Sequence, residues 1–439
     1  MVEVIIHRGT HTIGGSCVEI RSNNDRIIID LGTPLMARDG AELDEQAIKN
    51  PSIENGILPY ADGVYANQVP SVKAVILSHP HLDHYGLMDW VHPDIPIYLS
   101  EESKTVITAG NAFYAPDNVH RKMLEHCKTF EHYKPFNIGS FTITSYLIDH
   151  SAFGASSLLI EVEGKRIFYS GDVSGHGRKS LLFDRLTSDP IRDIDCLLLE
   201  GTTVGIDHSI GYSSEEAVEK AMYSIFSIQK DISFIISSGS NIDRLISMQV
   251  ASKESNKLLI IDIYQFYLLE QLKSKFDSSL PPYPSDNIRI FYIRNHADSV
   301  VANLDKQLLY DYKPRKISQD EILANRQNIV LRLPLSIMNR LASKLQEARP
   351  LNEAHYIYSM WEGYLERDPK FKELSQRFNI PMTEIHTSGH ACLNDLKRLA
   401  EALKPKAVIP IHTLGGDVFA EHFDNVVRVD DGEAFKLLS

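Results

Sequence analysis

One heptapeptide constrains this chain more than any other feature: Ser78-His79-Pro80-His81-Leu82-Asp83-His84. Four metal-competent side chains fall within its last six residues, directly after the apolar run Lys73 to Leu77. A continuous run of that kind reads as a strand covered on both faces. A strand end delivers side chains to the carboxyl edge of a sheet, where open α/β sheets place their sites. His79 and His81 are two residues apart and point to one side of the emerging chain. Asp83 and His84 precede a helix read over Tyr85 to Val91 and can face a second ion. Imidazole and carboxylate ligands without thiolates suit zinc, manganese or iron. A lone His-x-His would read as a solvated turn; four ligands after a buried strand read as metal.

Three more candidate ligands end apolar runs further on: His150 in Asp149-His150-Ser151, Asp172 in Ser170-Gly171-Asp172, and His412 in Pro410-Ile411-His412-Thr413. Each alone would be a cap or turn former. Together with the heptapeptide they make seven ligands, enough for two ions.

At 439 residues and 43% hydrophobic content the chain is too long for one core and reads as two or three domains. The first 200 residues are short β-rich runs: Val2 to His7, Ser16 to Arg21, Arg26 to Asp30, Phe141 to Ile148, Ser157 to Val162, Arg166 to Tyr169 and Asp195 to Leu199. Gly14-Gly15 and Asn23-Asn24 break the first of them, and a helix fits Glu102 to Ala112. After Glu200 helical patterns alternate with the apolar runs Ile232 to Ile236, Lys257 to Ile261 and Ile288 to Tyr292, as in an α/β domain with a parallel sheet. Ser213-Ser214-Glu215-Glu216 opens its first helix. Strands return at Lys406 to Ile411 and near Val426 and Phe435. The organisation is therefore an insertion: 1–205 and 380–439 form one domain, and 206–379 a second placed within it.

No apolar run approaches the roughly 20 residues of a membrane span, and Met1-Val2-Glu3 opens no signal peptide. Cys17, Cys127, Cys196 and Cys392 form no CxxC pair. A cytoplasmic protein without a membrane partner is expected. The formal net charge of −13 argues against loose, sequence-blind binding to nucleic acid but not against a nuclease, since bound cations offset charge locally. Lys313-Pro314-Arg315-Lys316 reads as a solvated turn.

Taken together, these motifs resemble the metallo-β-lactamase superfamily. Gly14-Gly15-Ser16-Cys17 and Asp30-Leu31-Gly32 match its opening strands. The resemblance implies an αββα sandwich. It implies that His79, His81 and His150 hold one ion, that Asp83, His84 and His412 hold the other, and that Asp172 bridges them. Asp30 would orient a ligand histidine. Leu199-Glu200-Gly201-Thr202-Thr203, His386-Thr387-Ser388-Gly389-His390-Ala391 and Pro410-Ile411-His412 resemble motifs A, B and C of the β-CASP group, which processes nucleic acids. The inserted α/β segment falls where that group carries its β-CASP domain. Ser240-Asn241-Ile242-Asp243-Arg244 is similar to a helix start of RNase J-type enzymes. Motif A departs from the commoner Glu-Ser-Thr. Motif C reads His412-Thr413-Leu414 in place of His-Gly-Glu. RNase J chains mostly continue with a further domain, so a divergent relative without one is expected.

The function so implied is a two-metal phosphodiesterase that cuts single-stranded RNA, as a 5′-exonuclease, an endonuclease or both. Two divalent ions, Zn²⁺ with Mn²⁺ as the alternative, are the expected cofactors. Asp83 is expected to act among the catalytic groups as well as the ligands. His390 is the candidate proton donor to the leaving oxygen, oriented by Glu200. Ser240, Asn241, Arg244, His386 and Ser388 either form a phosphate pocket at a helix start or are ordinary caps with Arg244 in a surface ion pair. Tyr356, Tyr358, Trp361 and Tyr364 either stack bases or, the favoured reading, pack in a core. His176 and Arg178 line the cleft or cap a loop. Competing functions are a DNA nuclease, a hydrolase of a small ester, thioester or lactone, and a non-catalytic RNA-binding subunit, which the filled ligand set disfavours. A second copy of the chain, as a homodimer, is the assembly to test.

Overall fold

The computed structural model describes residues 1–23, 25–37, 41–115, 121–205, 211–276 and 286–438. Asn24 of the Asn23-Asn24 turn and the boundary read at 205/206 lie outside the described residues. The strands are β1 (Val2–Arg8), β2 (Cys17–Arg21), β3 (Arg26–Ile29), β4 (Ala74–Ile76), β5 (Ile97–Ser100), β6 (Lys128–Phe130), β7 (Phe136–Ile138), β8 (Phe141–Leu147), β9 (Ser156–Val162), β10 (Lys165–Tyr169), β11 (Cys196–Glu200), β12 (Ser233–Ser237), β13 (Leu258–Asp262), β14 (Ile288–Phe291), β15 (Lys316–Ile317), β16 (Ile329–Leu331), β17 (His355–Ser359), β18 (Met382–Glu384), β19 (Val408–Ile411) and β20 (Ala434–Leu437). The chain divides into two compact units: Met1–Thr108, Val119–His208 and Gly389–Ser439 in the first, Ala109–Asn118 and Ser209–Ser388 in the second.

In the first unit, one sheet runs β20-β1-β2-β3-β4-β5-β6 and the other β19-β11-β10-β9-β8-β7. Period-two alternation decides which side chains meet. Val2, Val4 and Ile6 of β1, Ile27 and Ile29 of β3 and Ile76 of β4 share one core with Phe141, Ile143, Leu158, Ile160, Leu198 and Ile409 of the other sheet. The intervening residues face outward onto helices. Ile28 and Val75 pack with Leu87, Met88 and Ile107. Leu159, Phe168, Leu197 and Leu199 pack with Phe183, Leu186, Leu396 and Leu399. The result is the αββα sandwich of the metallo-β-lactamase fold. Both faces of β4 are buried, which is why its sequence shows no polar alternation.

The second unit holds the sheet β15-β14-β13-β16-β12-β17-β18, parallel at every pairing. Ser214 caps its first helix, Glu215–Ile228, by accepting from the Ala217 N–H. Where the chain enters and leaves the unit its two segments pair with each other: Tyr212 N–H donates to His386 O at 2.8 Å and Thr387 Oγ1 donates to Tyr212 O at 2.6 Å.

Three sequence expectations are corrected. The helix over Tyr85 to Val91 is a short helix Leu82–Tyr85 and a separate 3-10 turn Met88–Trp90. Gly86 ends the first, and a Cβ there would stand 2.5 Å from Leu82 O and 2.2 Å from Thr33 Oγ1. The strand near Val426 is a single bridge to Val408. β18 lies beyond residue 379 yet pairs with β17, so the inserted sheet continues past the boundary read at 379/380. Among the described residues, no helix is long and apolar enough to cross a membrane.

Candidate metal centre

All seven sequence-derived ligands belong to the first unit and follow strand ends: β4 for His79 to His84, β8 for His150, β10 for Asp172 and β19 for His412. The loop after β3 shapes the first of these segments. Leu31 N–H donates to His84 O and Thr33 N–H to Leu82 O, while Ser16 N–H donates to Asp83 O. Gly32 is pressed so closely on this segment that a Cβ would fall 1.6 Å from Asp83 O. No other residue permits that approach.

Asp30 adopts the left-handed conformation, φ 58°, uncommon for a non-glycine residue and a mark of local constraint. Its fully buried carboxylate accepts from Ser78 N–H, Ser78 Oγ and Tyr169 OH, each at 2.7 Å. It also lies 2.7 Å from His84 Nδ1. With Nδ1 engaged, His84 Nε2 is turned to within 3.2 Å of Asp172 Oδ2. His412, also left-handed at φ 50°, has Nδ1 2.9 Å from Thr202 Oγ1 and Nε2 3.3 Å from Asp83 Oδ2. His150 Nδ1 donates to Gly389 O at 2.7 Å, leaving Nε2 3.2 Å from His81 Nδ1.

The ligand atoms of His79, His81, His150 and Asp172 fall within 4.8 Å of one another, and so do those of Asp83, His84 and His412. His79 Nε2, His84 Nε2 and Asp172 Oδ1 are buried without a hydrogen-bond partner. Buried polar atoms are otherwise paired, so these three, at one cluster of imidazoles and carboxylates, fit a divalent metal. The electrostatics agree. Burial keeps His79, His81 and His150 below the ordinary histidine pKa, so each offers a lone pair. Burial also opposes charge on His84, but Asp172, Asp30 and Asp83 outweigh it and hold its pKa well above the ordinary value. These carboxylates call for positive charge.

Glu200, at the end of β11, accepts from Val173 N–H at 3.1 Å and Thr202 N–H at 3.0 Å, and lies 3.2 Å from His390 Nδ1. It thereby ties together the segments that carry Asp172, His390 and the residue holding His412. Burial opposes charge on His390, but Glu200 and Asp172 prevail and push its pKa up to about 9. His390 also forms a third ligand-competent group with Asp172 and His412, although the sequence reading set it outside the ligands.

The proposed phosphate pocket requires correction at Arg244. Its guanidinium is 1% exposed and fully committed within the second unit. Nε and Nη2 donate to Glu215 at 2.7 and 3.0 Å. Nη1 reaches Ser359 O and Oγ and lies 3.2 Å from His386 Nδ1; Nη2 also donates to Thr387 O. It is therefore neither a phosphate ligand nor a surface ion pair, but a buried clamp. Asn241 caps the helix Ile242–Glu254 by accepting from Arg244 N–H at 2.9 Å. Ser240 pairs with Ser238 at 3.1 Å. Ser388 and His386 lie on the exit segment of the same unit. Tyr356 and Tyr358 are core residues, whereas Trp361 and Tyr364 are 40% and 44% exposed. His176 Nδ1 stands 3.7 Å from Asp395 Oδ2. Sequence reasoning missed Thr202, Ser78 and Tyr169. Thr202 stood inside motif A, but only the fold brings Tyr169 to Asp30.

A model of the beta-lactamase superfamily domain matches residues 58–225, and one of a Zn-dependent metallo-hydrolase RNA specificity domain matches 379–426. An RNase J-like protein of Methanocaldococcus jannaschii is 26% identical over 46% of this chain and 43% of its own length. The Ribonuclease J of Mycoplasma genitalium is 23% identical over 92% of this chain and 66% of its own. A protein of unknown function from Enterococcus faecalis V583, known from its crystal structure, has the same fold, with TM-score 0.78, 21% identity and 99% coverage of both chains. The chain spans less than two thirds of the length of these two curated relatives. The fold and the metal cluster define a metallo-β-lactamase-superfamily protein. Within that superfamily the chain is similar to RNase J-like members of the β-CASP group.

Proposed function

We propose that this chain is a phosphodiesterase that cleaves single-stranded RNA and uses two divalent metal ions, Zn²⁺ in the first instance. The observation that carries the reading is the seven-ligand cluster with the His390–Glu200 pair beside it, in a chain with RNase J relatives. His79, His81 and His150 would hold one ion, Asp83, His84 and His412 the other, and Asp172 both. When bound, such ions supply Lewis acidity toward a phosphoryl group and activate water at neutral pH. The chain's own residues do the rest. His390 carries a proton at Nε2 and delivers it to the leaving 3′-oxygen. Glu200 holds His390 Nδ1 and supports that protonated state. Asp30 and Thr202 keep His84 and His412 turned inward. The second unit is taken as the β-CASP insertion.

Purified protein with added Zn²⁺ or Mn²⁺ should cut labelled single-stranded RNA faster than matched DNA. Substrates bearing a 5′-monophosphate, 5′-triphosphate or 5′-hydroxyl separate exonuclease from endonuclease action. Turnover of a thioester or lactone without any cleavage of RNA would instead establish the small-ester hydrolase.

A further inference from the structure

The second unit carries buried polar side chains that the nuclease reading does not use. They gather at the carboxyl ends of β13 and β16, which are neighbours in the sheet. From β13 the chain turns one way, through the helix Ile263–Phe276 to β14. From β16 it turns the other way, through the helix Leu335–Ala348 and past β12 to β17. Met338, Leu341 and Leu345 pack the second helix on the sheet face that bears Ile260 and Leu331; no residue of the first helix joins that cluster. Adjacent parallel strands whose connections diverge mark a topological switch point, where open α/β sheets bind ligands.

Asp262 ends β13 and is fully buried. Its Oδ1 accepts from Gln265 N–H at 3.0 Å and so caps the helix that follows. Its Oδ2 has no hydrogen-bond partner and stands 3.7 Å from Arg332 Nη1. Arg332, just past β16, donates from Nε and Nη2 to Ser237 Oγ and O at 3.2 and 2.6 Å. His296 Nδ1 lies 3.7 Å from Asp262 Oδ1. It is buried and unpartnered, as are both amide atoms of Gln265. Native proteins leave few such atoms unpaired. The rings of Tyr114 and Tyr264 meet at 4.8 Å, and Tyr114 lies 5.5 Å from His296. The Tyr114 side chain is exposed.

This chemistry excludes simple ions. The open Asp262 oxygen repels an anion, and the Arg332 guanidinium repels a metal ion. A neutral planar edge that offers donors to the carboxylate and acceptors to the guanidinium and amide satisfies both, with aromatic rings for its face. Guanine has that edge: N1–H and the 2-amino group beside O6 and N7. We propose that Asp262, Gln265, His296 and Arg332 form a guanine-binding site with Tyr114 and Tyr264 as its aromatic wall. The guanine belongs to a free nucleotide or to an RNA residue; only the second source rests on the nuclease reading.

The test is equilibrium binding to the full chain in a metal chelator, so that cleavage is not read. The probes are guanosine, GMP, AMP, CMP, UMP and single-stranded oligonucleotides with one guanine or with adenine in its place. Guanine ligands should bind saturably and roughly 10-fold or more tighter than their counterparts. Asp262→Asn keeps a helix-capping side chain and should lose roughly 10-fold in affinity at an unchanged melting curve; Gln265→Leu serves as the second variant if the first unfolds. Binding of GMP identifies a nucleotide site, and Asp262-dependent binding of the guanine oligonucleotide alone identifies RNA. Asp172→Ala protein should bind as the parent does, so a failed nuclease assay leaves this inference standing. Absence of saturable guanine binding, equal binding of all four bases, affinity untouched by both variants, or a crystal structure in saturating GMP with only water at the cluster would each overturn it.

Discussion

At the scale of single residues, the histidines differ by what holds the nitrogen turned away from the cluster. His84 is held by Asp30, His150 by Gly389 O, His412 by Thr202 and His390 by Glu200. A carboxylate partner stabilises the imidazolium at both His84 and His390. What sets the two apart is exposure: the His84 side chain is fully buried in the cluster, whereas that of His390 is 22% exposed and suits a proton donor to a bound substrate. If His390 is the acid, His390→Ala should keep both metals and lose roughly 10²–10⁴ in turnover. A substrate with a better leaving group, such as a nitrophenyl phosphodiester, should recover part of the loss. His412→Ala should lose metal and activity together, with no recovery. Elemental analysis beside both rate measurements distinguishes the roles. Loss of metal from His390→Ala would instead favour the ligand group that joins His390 to Asp172 and His412.

At the scale of elements, backbone approach and buried pairing decide what single-residue reasoning cannot. Gly32→Ala would drive a Cβ into Asp83 O. The expected result is a loss of roughly 1–3 kcal/mol, the usual range for overpacking, with reduced metal content; a urea midpoint and elemental analysis check it, and an unchanged midpoint refutes it. In the second unit, burial and the neighbouring Arg244 guanidinium push the His386 pKa down to about 3. A histidine with a depressed folded pKa contributes stability above the unfolded value of about 6.5, and that contribution is lost as pH falls towards the folded one. Between pH 7 and pH 5 the loss should be on the order of 2 kcal/mol. His386→Asn, which keeps an acceptor for Arg244 but does not titrate, should flatten that slope in denaturant melts. The same elements show what was legible. His79, His81, Asp83 and His84 were readable because their spacing is local and follows an apolar strand. Arg244 was not, because Glu215, Ser359 and Thr387 come to it from elsewhere in the chain. β18 was not, because an edge strand of three residues with little burial carries almost no apolar pattern. Tyr356 and Tyr358 alternate with Ile357 on a strand buried on both faces, and the exposed Trp361 and Tyr364 follow its end.

At the scale of the whole molecule, the ligand set ties metal binding to the fold. Its members run from His79 to His412, and the second unit interrupts the first between them. No local segment can hold all seven in the unfolded chain, so metal affinity is folding free energy. Free metal at 100 times its Kd should add about 2.7 kcal/mol of stability. For a unit of this size that corresponds to a rise in Tm of roughly 5–10 °C. Calorimetry of chelator-treated protein, followed by titration with Zn²⁺, reads the increment directly. If the Asp172 carboxylate bridges two ions as proposed, Asp172→Ala should abolish most of it. His386→Asn, confined to the second unit and outside the ligand set, should leave the increment intact although it changes the baseline, as expected of sites that share no partners. A Tm indifferent to metal, or an increment that survives Asp172→Ala, would mean that the seven residues do not act as one metal centre.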